Sequence, residues 1–281
     1  TQNLIKPLKE WVNPLKENNN FVDNLLSFSL GLFNFNKNKS SSYLKNGETF
    51  VKKDQQLVNI SYLRSYLVGV VDGKGQFQVN NYQYSHLQYR LVIQLANNLS
   101  NNLVLILIQK IIGGKIITKN KDKYLVFNNL NEEILEIFTK YPLLTSRKIC
   151  QLDFIKKCIK NSNPLAYYIS ARNYKYNDQL KITRINGEKW SSINKERLSH
   201  FRAWFNGYTE SKGCLMYTPY KYQIKEKYDQ YLLNLIKSHF NVTNKVKNIS
   251  LNEYSLEIYN KKTLEKIQEN LKLNPLLGIK A

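Results

Sequence analysis

One nine-residue pattern occurs twice in this chain, as Leu67-Val68-Gly69-Val70-Val71-Asp72-Gly73-Lys74-Gly75 and as Phe205-Asn206-Gly207-Tyr208-Thr209-Glu210-Ser211-Lys212-Gly213. Each copy follows a polar and aromatic lead-in, Tyr62-Leu63-Arg64-Ser65-Tyr66 and Ser199-His200-Phe201-Arg202-Ala203-Trp204, and each runs into a strand-like segment. Gly69 and Gly73 are four apart, as are Gly207 and Ser211, so in a helix each pair shares one face. Small residues there let a second helix backbone come very close, and the two copies can pack on each other. Gly75 and Gly213 suit the sharp turn that ends each helix. Asp72 and Glu210 fall late in their helices, where the dipole disfavours an acid, so each is expected to need a local hydrogen-bonding partner.

On these two motifs and their flanks, residues 60 to 281 resemble the LAGLIDADG family of homing endonucleases and intron maturases. The resemblance implies an α+β fold: two pseudo-symmetric αββαββα halves whose antiparallel sheets form a saddle for nucleic acid. The motif-helix interface would use Gly69, Gly73, Gly207 and Ser211. The expected divisions are an N-terminal extension (1–59), a first half (60–160), an inter-half linker (161–193) and a second half (194–281).

The resemblance also implies acids at the eighth motif position, where the family holds the metal ions that cleave DNA. Here those positions are Lys74 and Lys212. Metal-dependent phosphodiester chemistry needs carboxylate oxygens, whereas an ammonium has donors and no acceptor. Two residues along a helix turn a side chain by roughly 200°, so Asp72 and Glu210 are poor replacements. The expectation is therefore no catalytic residue, no metal site, lost DNA endonuclease activity and no enzyme, with the binding surface kept.

Charge points to the same kind of partner. There are 42 Lys and Arg against 21 Asp and Glu, a net charge of +21, which favours a polyanion such as RNA or DNA over a membrane. AT-rich coding explains part of the Lys excess but not the shortage of acids. A hydrophobic content of 42% supports a packed core. No apolar run reaches the roughly 18 residues of a membrane span. Cys150, Cys158 and Cys214 form no C-x-x-C pair and read as reduced thiols, and His86, His200 and His239 lack ligand spacing. Thr1 in first place suggests a processed or trimmed product, and no cleavable targeting signal is evident.

Alternation predicts the strands. Gln76, Gln78, Asn80, Gln88, Arg90 and Gln94 would share one open sheet face, and such side chains read base edges and phosphates. A hairpin follows at 115–127, adding Lys115, Lys119, Lys121 and Lys123. In the linker, turns are expected at Asn177-Asp178 and Asn186-Gly187. Its Arg172, Lys175 and Arg184 are interleaved with tyrosines, a mix that suits phosphate contact and stacking. The second half contributes Lys221, Lys225, Lys245 and Lys247, and Lys74 and Lys212 complete the nucleic-acid-binding candidates. The second half stops at Ala281, where the first continues into a basic helix, so a final helix is absent or the chain is cut short.

The flanks, Lys140-Tyr141-Pro142 and the Gly113-Gly114 hairpin entry, look most like fungal mitochondrial cytochrome b intron proteins. That similarity implies an RNA maturase in the mitochondrial matrix that binds and stabilises a group I intron to promote splicing. Magnesium would belong to the RNA, no cofactor to the protein, and the need for an additional splicing protein stays open. A monomer with no membrane partner is expected, since the two halves satisfy each other's interface. The alternatives are a LAGLIDADG DNA homing endonuclease and a structural component of a mitochondrial ribonucleoprotein.

Overall fold

A computed structural model describes residues 60–82, 86–189, 195–217 and 220–273. The expected extension over 1–59 and the question of a final helix after residue 273 lie outside the described residues.

The first motif forms α1 (Ile60–Lys74), followed by β1 (Gly75–Tyr82), β2 (His86–Ala96), α2 (Leu99–Ile112), β3 (Lys115–Lys119), β4 (Asp122–Phe127) and α3 (Glu132–Lys140). Asn98 accepts from Asn101 N to open α2, and Asn131 accepts from Ile134 N to open α3, with Glu132 and Glu133 in its first turn. Gly113 at φ 76° ends α2, a conformation that favours glycine. The second half repeats the plan as α7 (Lys195–Ser211), β5 (Cys214–Tyr217), β6 (Tyr220–Lys227), α8 (Gln230–His239), β7 (Lys247–Ser250), β8 (Glu253–Ile258) and α9 (Lys261–Leu273). Both sheets are antiparallel, in the orders β1-β2-β4-β3 and β5-β6-β8-β7.

The two motif helices pack on each other, as their small residues demand. A Cβ on Gly69 would run into the Trp204 carbonyl and stand 2.8 Å from Tyr208 N. A Cβ on Gly207 would run into the Tyr66 carbonyl and stand 3.0 Å from Val70 N, so the contact is reciprocal. Around this seam the core collects Tyr66, Leu67, Val70 and Val71 from α1 and Phe201, Trp204, Phe205 and Tyr208 from α7, each no more than 1% exposed.

After α3 come α4 (Ser146–Lys160), α5 (Pro164–Ala171), a 3-10 turn (Arg172–Tyr174) and α6 (Gln179–Lys189). The stretch expected as the linker, 161–193, is thus mostly helical over its described residues. The Asn177-Asp178 turn is present, but Asn186-Gly187 sits inside α6. Asn186 Nδ2 donates to Tyr231 Oη at 3.2 Å and Gly187 faces Tyr231 Cβ at 3.7 Å, so packing against α8 overrides the local turn signal. Gln151 on α4 accepts from Phe77 N at 3.2 Å, satisfying a backbone donor of edge strand β1. Cys150 and Cys158 are buried free thiols, and burial pushes both up to about 11.

Candidate nucleic-acid interface

Strand register sorts side chains between two faces. Leu91, Ile93, Leu95 and Phe77 point into the core, each at most 5% exposed, so their neighbours Gln76, Gln78, Gln88, Arg90 and Gln94 point the other way. Asn80 pairs with Gln88 and extends the row. On the same open face Gln94 Nε2 donates to Asp122 Oδ2 at 2.8 Å, and Gln78 Nε2 donates to Gln76 Oε1 at 3.1 Å. Lys115 and Lys119 join this face from edge strand β3, and Lys121 is exposed at the hairpin turn. Lys123 does not join it. Its partner is Leu95, so the two-residue period sends Lys123 to the opposite face.

In the second sheet Tyr222 and Ile224 point inward, leaving Lys221, Gln223, Lys225 and Lys227 on the open face. Lys247 pairs beside Ser255 and adds to it, whereas Lys245 precedes the strand in an exposed loop. The linker cations stand apart from these rows. Arg172 lies over Tyr168 at 5.8 Å and Lys175 over Tyr176 at 5.1 Å, while Arg184 is exposed on α6. They belong to the helices that pack on α4 and α8, not to either sheet face.

At the foot of the motif helices the structure gathers groups that linear spacing did not link. Asp72 is 2% exposed and accepts from Leu144 N (2.8 Å), Thr145 N (3.1 Å), Thr145 Oγ1 (2.5 Å) and Trp204 Nε1 (2.7 Å). Three of those donors belong to the entry of α4, so an acid late in α1 serves the positive end of another helix. Burial pushes its carboxyl up, and the donors hold it back. Asp229 extends this grip from the second half, accepting from Ser146 N at 3.0 Å. Tyr231 Oη donates to the Leu144 carbonyl, and Gln179 Nε2 donates to Ser146 Oγ at 2.9 Å. Glu210 is 4% exposed.

Lys74 is exposed at the end of α1. Lys212 reaches Glu226 Oε1 at 2.6 Å, and Tyr208 Oη donates to the same oxygen. Burial pushes Lys212 down to about 8, with Asp229 and Asp72 holding it up and Lys148 and Lys74 pushing it further down. Lys148, Glu226 and Asp229 are foot residues that sequence reasoning missed. They come from helix α4, strand β6 and the cap of α8, with no shared spacing to announce them.

The eighth positions offer ammonium groups, Glu226 is held by Lys212 and Tyr208, and Asp229 is engaged by Ser146. Among the described residues no three acidic, His or Cys side chains converge as ligands.

Two measurements test the foot. Lys212→Met leaves Glu226, 5% exposed at its side chain, without its cation, and is expected to cost about 3 kcal/mol by urea denaturation. Adding Glu226→Gln should recover most of that loss; no recovery would mean that the pair is incidental. Asp229 gives a pH signature. Burial raises its carboxyl from 3.8 to about 7, so the folded state holds a proton that the unfolded chain releases, and stability falls as pH rises across that window. Half-buried His200 and His239, both pushed down to about 4 by desolvation, act in the opposite direction. The stability difference between wild type and Asp229→Asn should therefore shrink with rising pH, and a flat difference would contradict the assignment.

Comparison with known proteins agrees with this architecture. The family described as LAGLIDADG endonuclease matches residues 67–158. A Dictyostelium discoideum protein named "Probable intron-encoded endonuclease aI3" is 36% identical, over 78% of this chain and 93% of its own length. A protein of the same name from Debaryomyces hansenii is also 36% identical over 78% of this chain, but the match spans only 36% of that longer relative. The solved LAGLIDADG meganuclease I-AabMI, bound to uncleaved DNA, superposes with a TM-score of 0.55 at 18% identity, covering 78% of this chain and 86% of that one. The homing endonuclease I-LtrWI, bound to target DNA, gives 0.53 at 19% identity, covering 79% and 87%.

These relatives correct one expectation. Lys74 and Lys212 suggested a protein that is no enzyme, yet proteins 36% identical to it over the matched residues are named endonucleases. The expectation rested on two motif positions read alone, whereas the foot also carries Glu226 and Asp229, which no spacing in the sequence links to it. Among the described residues no helix is long and apolar enough to cross a membrane. The doubled motif, the two αββαββα halves, the reciprocal glycine seam and these relatives together show that the chain belongs to the LAGLIDADG endonuclease family.

Proposed function

We propose that this protein is an intron-encoded DNA-recognition protein of the homing-endonuclease class, which lays the open faces of its two sheets along a duplex. The observation that supports this is strand register: it collects Gln76, Gln78, Gln88, Arg90 and Gln94 on one face and Lys221, Gln223, Lys225 and Lys247 on the other. Amide and guanidinium groups read base edges, and ammonium groups hold phosphates. The relatives' names, and the DNA bound by the solved meganucleases of the same fold, support the same reading.

A second reading is favoured by Lys74 and Lys212. Ammonium groups at the foot can meet the phosphates of a group I intron, which brings its own magnesium, so a maturase role in the mitochondrial matrix fits them. Both readings use a monomer, because the motif helices of one chain already cover each other.

One paired experiment separates the two. The protein is titrated, in magnesium, against duplex DNA spanning an intronless insertion junction and against the corresponding intron RNA. The DNA reading expects the junction duplex to be preferred over unrelated duplex, with strand cleavage followed on a denaturing gel. Accelerated splicing without duplex preference would favour the maturase instead.

A further inference from the structure

On the open face of the second sheet the carboxylate of Glu257 stands among cations and is engaged by its neighbours. Glu257 accepts from Gln223 Nε2 at 2.7 Å, from Tyr259 Oη at 2.8 Å and from Lys247 Nζ at 3.0 Å, and Lys221 Nζ stands 3.7 Å away. These donors hold its carboxyl below the usual range, the Tyr259 hydroxyl most of all. A free acid on a phosphate-binding face would repel the ligand, but this one is neutralised by its neighbours and serves to fix their positions.

Its effect on Gln223 is chemical. A glutamine amide has two N–H donors and one acceptor oxygen. Here Nε2 faces Glu257 and also reaches Ser255 Oγ at 3.4 Å, so both amide hydrogens point into the sheet's own acceptors. Turning the amide over would set Oε1 against a carboxylate oxygen, two acceptors in contact. Oε1 is therefore the atom left to face outward, and among the described residues it accepts no hydrogen bond. Gln94 on the other sheet is different: Asp122 takes one of its N–H groups and leaves the second free, so it keeps a donor beside its acceptor.

We infer that Glu257 and Ser255 make Gln223 a one-way acceptor, a specificity-determining position that selects a base presenting an amino group in the major groove. Adenine N6 and cytosine N4 are such donors, whereas guanine O6 and thymine O4 are acceptors. Gln223 makes the contact, and Glu257 is a positioning residue that acts through it. The inference rests on the duplex-DNA reading above.

The test is selection from a pool of randomised duplex DNA by wild type, Gln223→Ala, Glu257→Gln and Arg90→Ala, each first checked for folding by circular dichroism. Wild type should show one column enriched for adenine or cytosine by about tenfold over guanine or thymine. Gln223→Ala should flatten that column alone. Glu257→Gln frees the amide to turn, so it should admit guanine or thymine at the same column and leave the others as they were. A merely structural role for Glu257 would instead lower affinity evenly across sequences. The inference is overturned if the column survives both sheet-two variants, or if it favours guanine or thymine. Absence of enrichment at every column would sink the duplex-DNA reading itself, and enrichment lost only in Arg90→Ala would leave that reading standing without this inference.

Discussion

Gly207→Leu is expected to yield no folded monomer. Even a Cβ at this position runs into the Tyr66 carbonyl and comes within 3.0 Å of Val70 N, and both obstacles are backbone of the partner helix. A side chain in the way could change rotamer, but a helix backbone cannot yield without moving the whole seam. Neighbouring Trp204, Phe205 and Tyr208 are fully buried, so separating the helices would strip the largest aromatic contacts of the core. The cost should exceed the roughly 1–3 kcal/mol of ordinary overpacking and approach the whole stability of the domain. Gly187→Ala is the internal control. Its Cβ would meet Tyr231 Cβ at an ordinary 3.7 Å, within helix α6, so it should be neutral or raise stability by up to about 1 kcal/mol. Circular dichroism and urea denaturation of the two variants make the comparison; a well-folded Gly207→Leu would mean that the helices do not pack as described.

The second large effect is expected at Asp72. Asp72→Ala leaves Leu144 N, Thr145 N and Trp204 Nε1 without their acceptor in a site that is 2% exposed. At roughly 1–3 kcal/mol for each buried unsatisfied group, the loss should reach about 4 kcal/mol. Asp72→Asn keeps the shape and one acceptor oxygen and should lose about half of that. Equal losses in the two variants would mean that volume matters here and hydrogen bonding does not. The residue also ties three elements together, since Trp204 comes from the second motif helix and Thr145 caps α4. Its removal should therefore expose the α4 entry to hydrogen exchange as well as lower the midpoint.

The helix seam and the open sheet face were legible in the sequence because both depend on local period. Four-residue spacing of small side chains announces a close helix pair, and two-residue alternation announces an open sheet face; Gln76, Gln78, Arg90 and Gln94 all sit where that alternation puts them. The Asp72 partners were anticipated as a need but not by identity, because Leu144 and Thr145 are far along the chain. Lys123 and Lys245 stand off the open faces by a residue or two, the scale on which a strand changes face or ends. The Lys212–Glu226 pair and the Glu257 hub stayed hidden, since each needs the cross-strand register before its members are neighbours. The Asn186-Gly187 turn signal was real locally and lost to tertiary packing against Tyr231.

Duplex recognition by the two open faces is tested most directly by charge reversal on both of them. Wild type and the double variant Arg90→Glu, Lys225→Glu are titrated with an insertion-junction duplex over a range of salt concentrations. Both sites lie on open faces opposite the core, so folding should be preserved. The expected result is at least a hundredfold weaker binding and a shallower salt dependence in the variant, as phosphate contacts are lost. Unchanged affinity and an unchanged salt slope in a folded variant would contradict the assignment of these faces to nucleic acid.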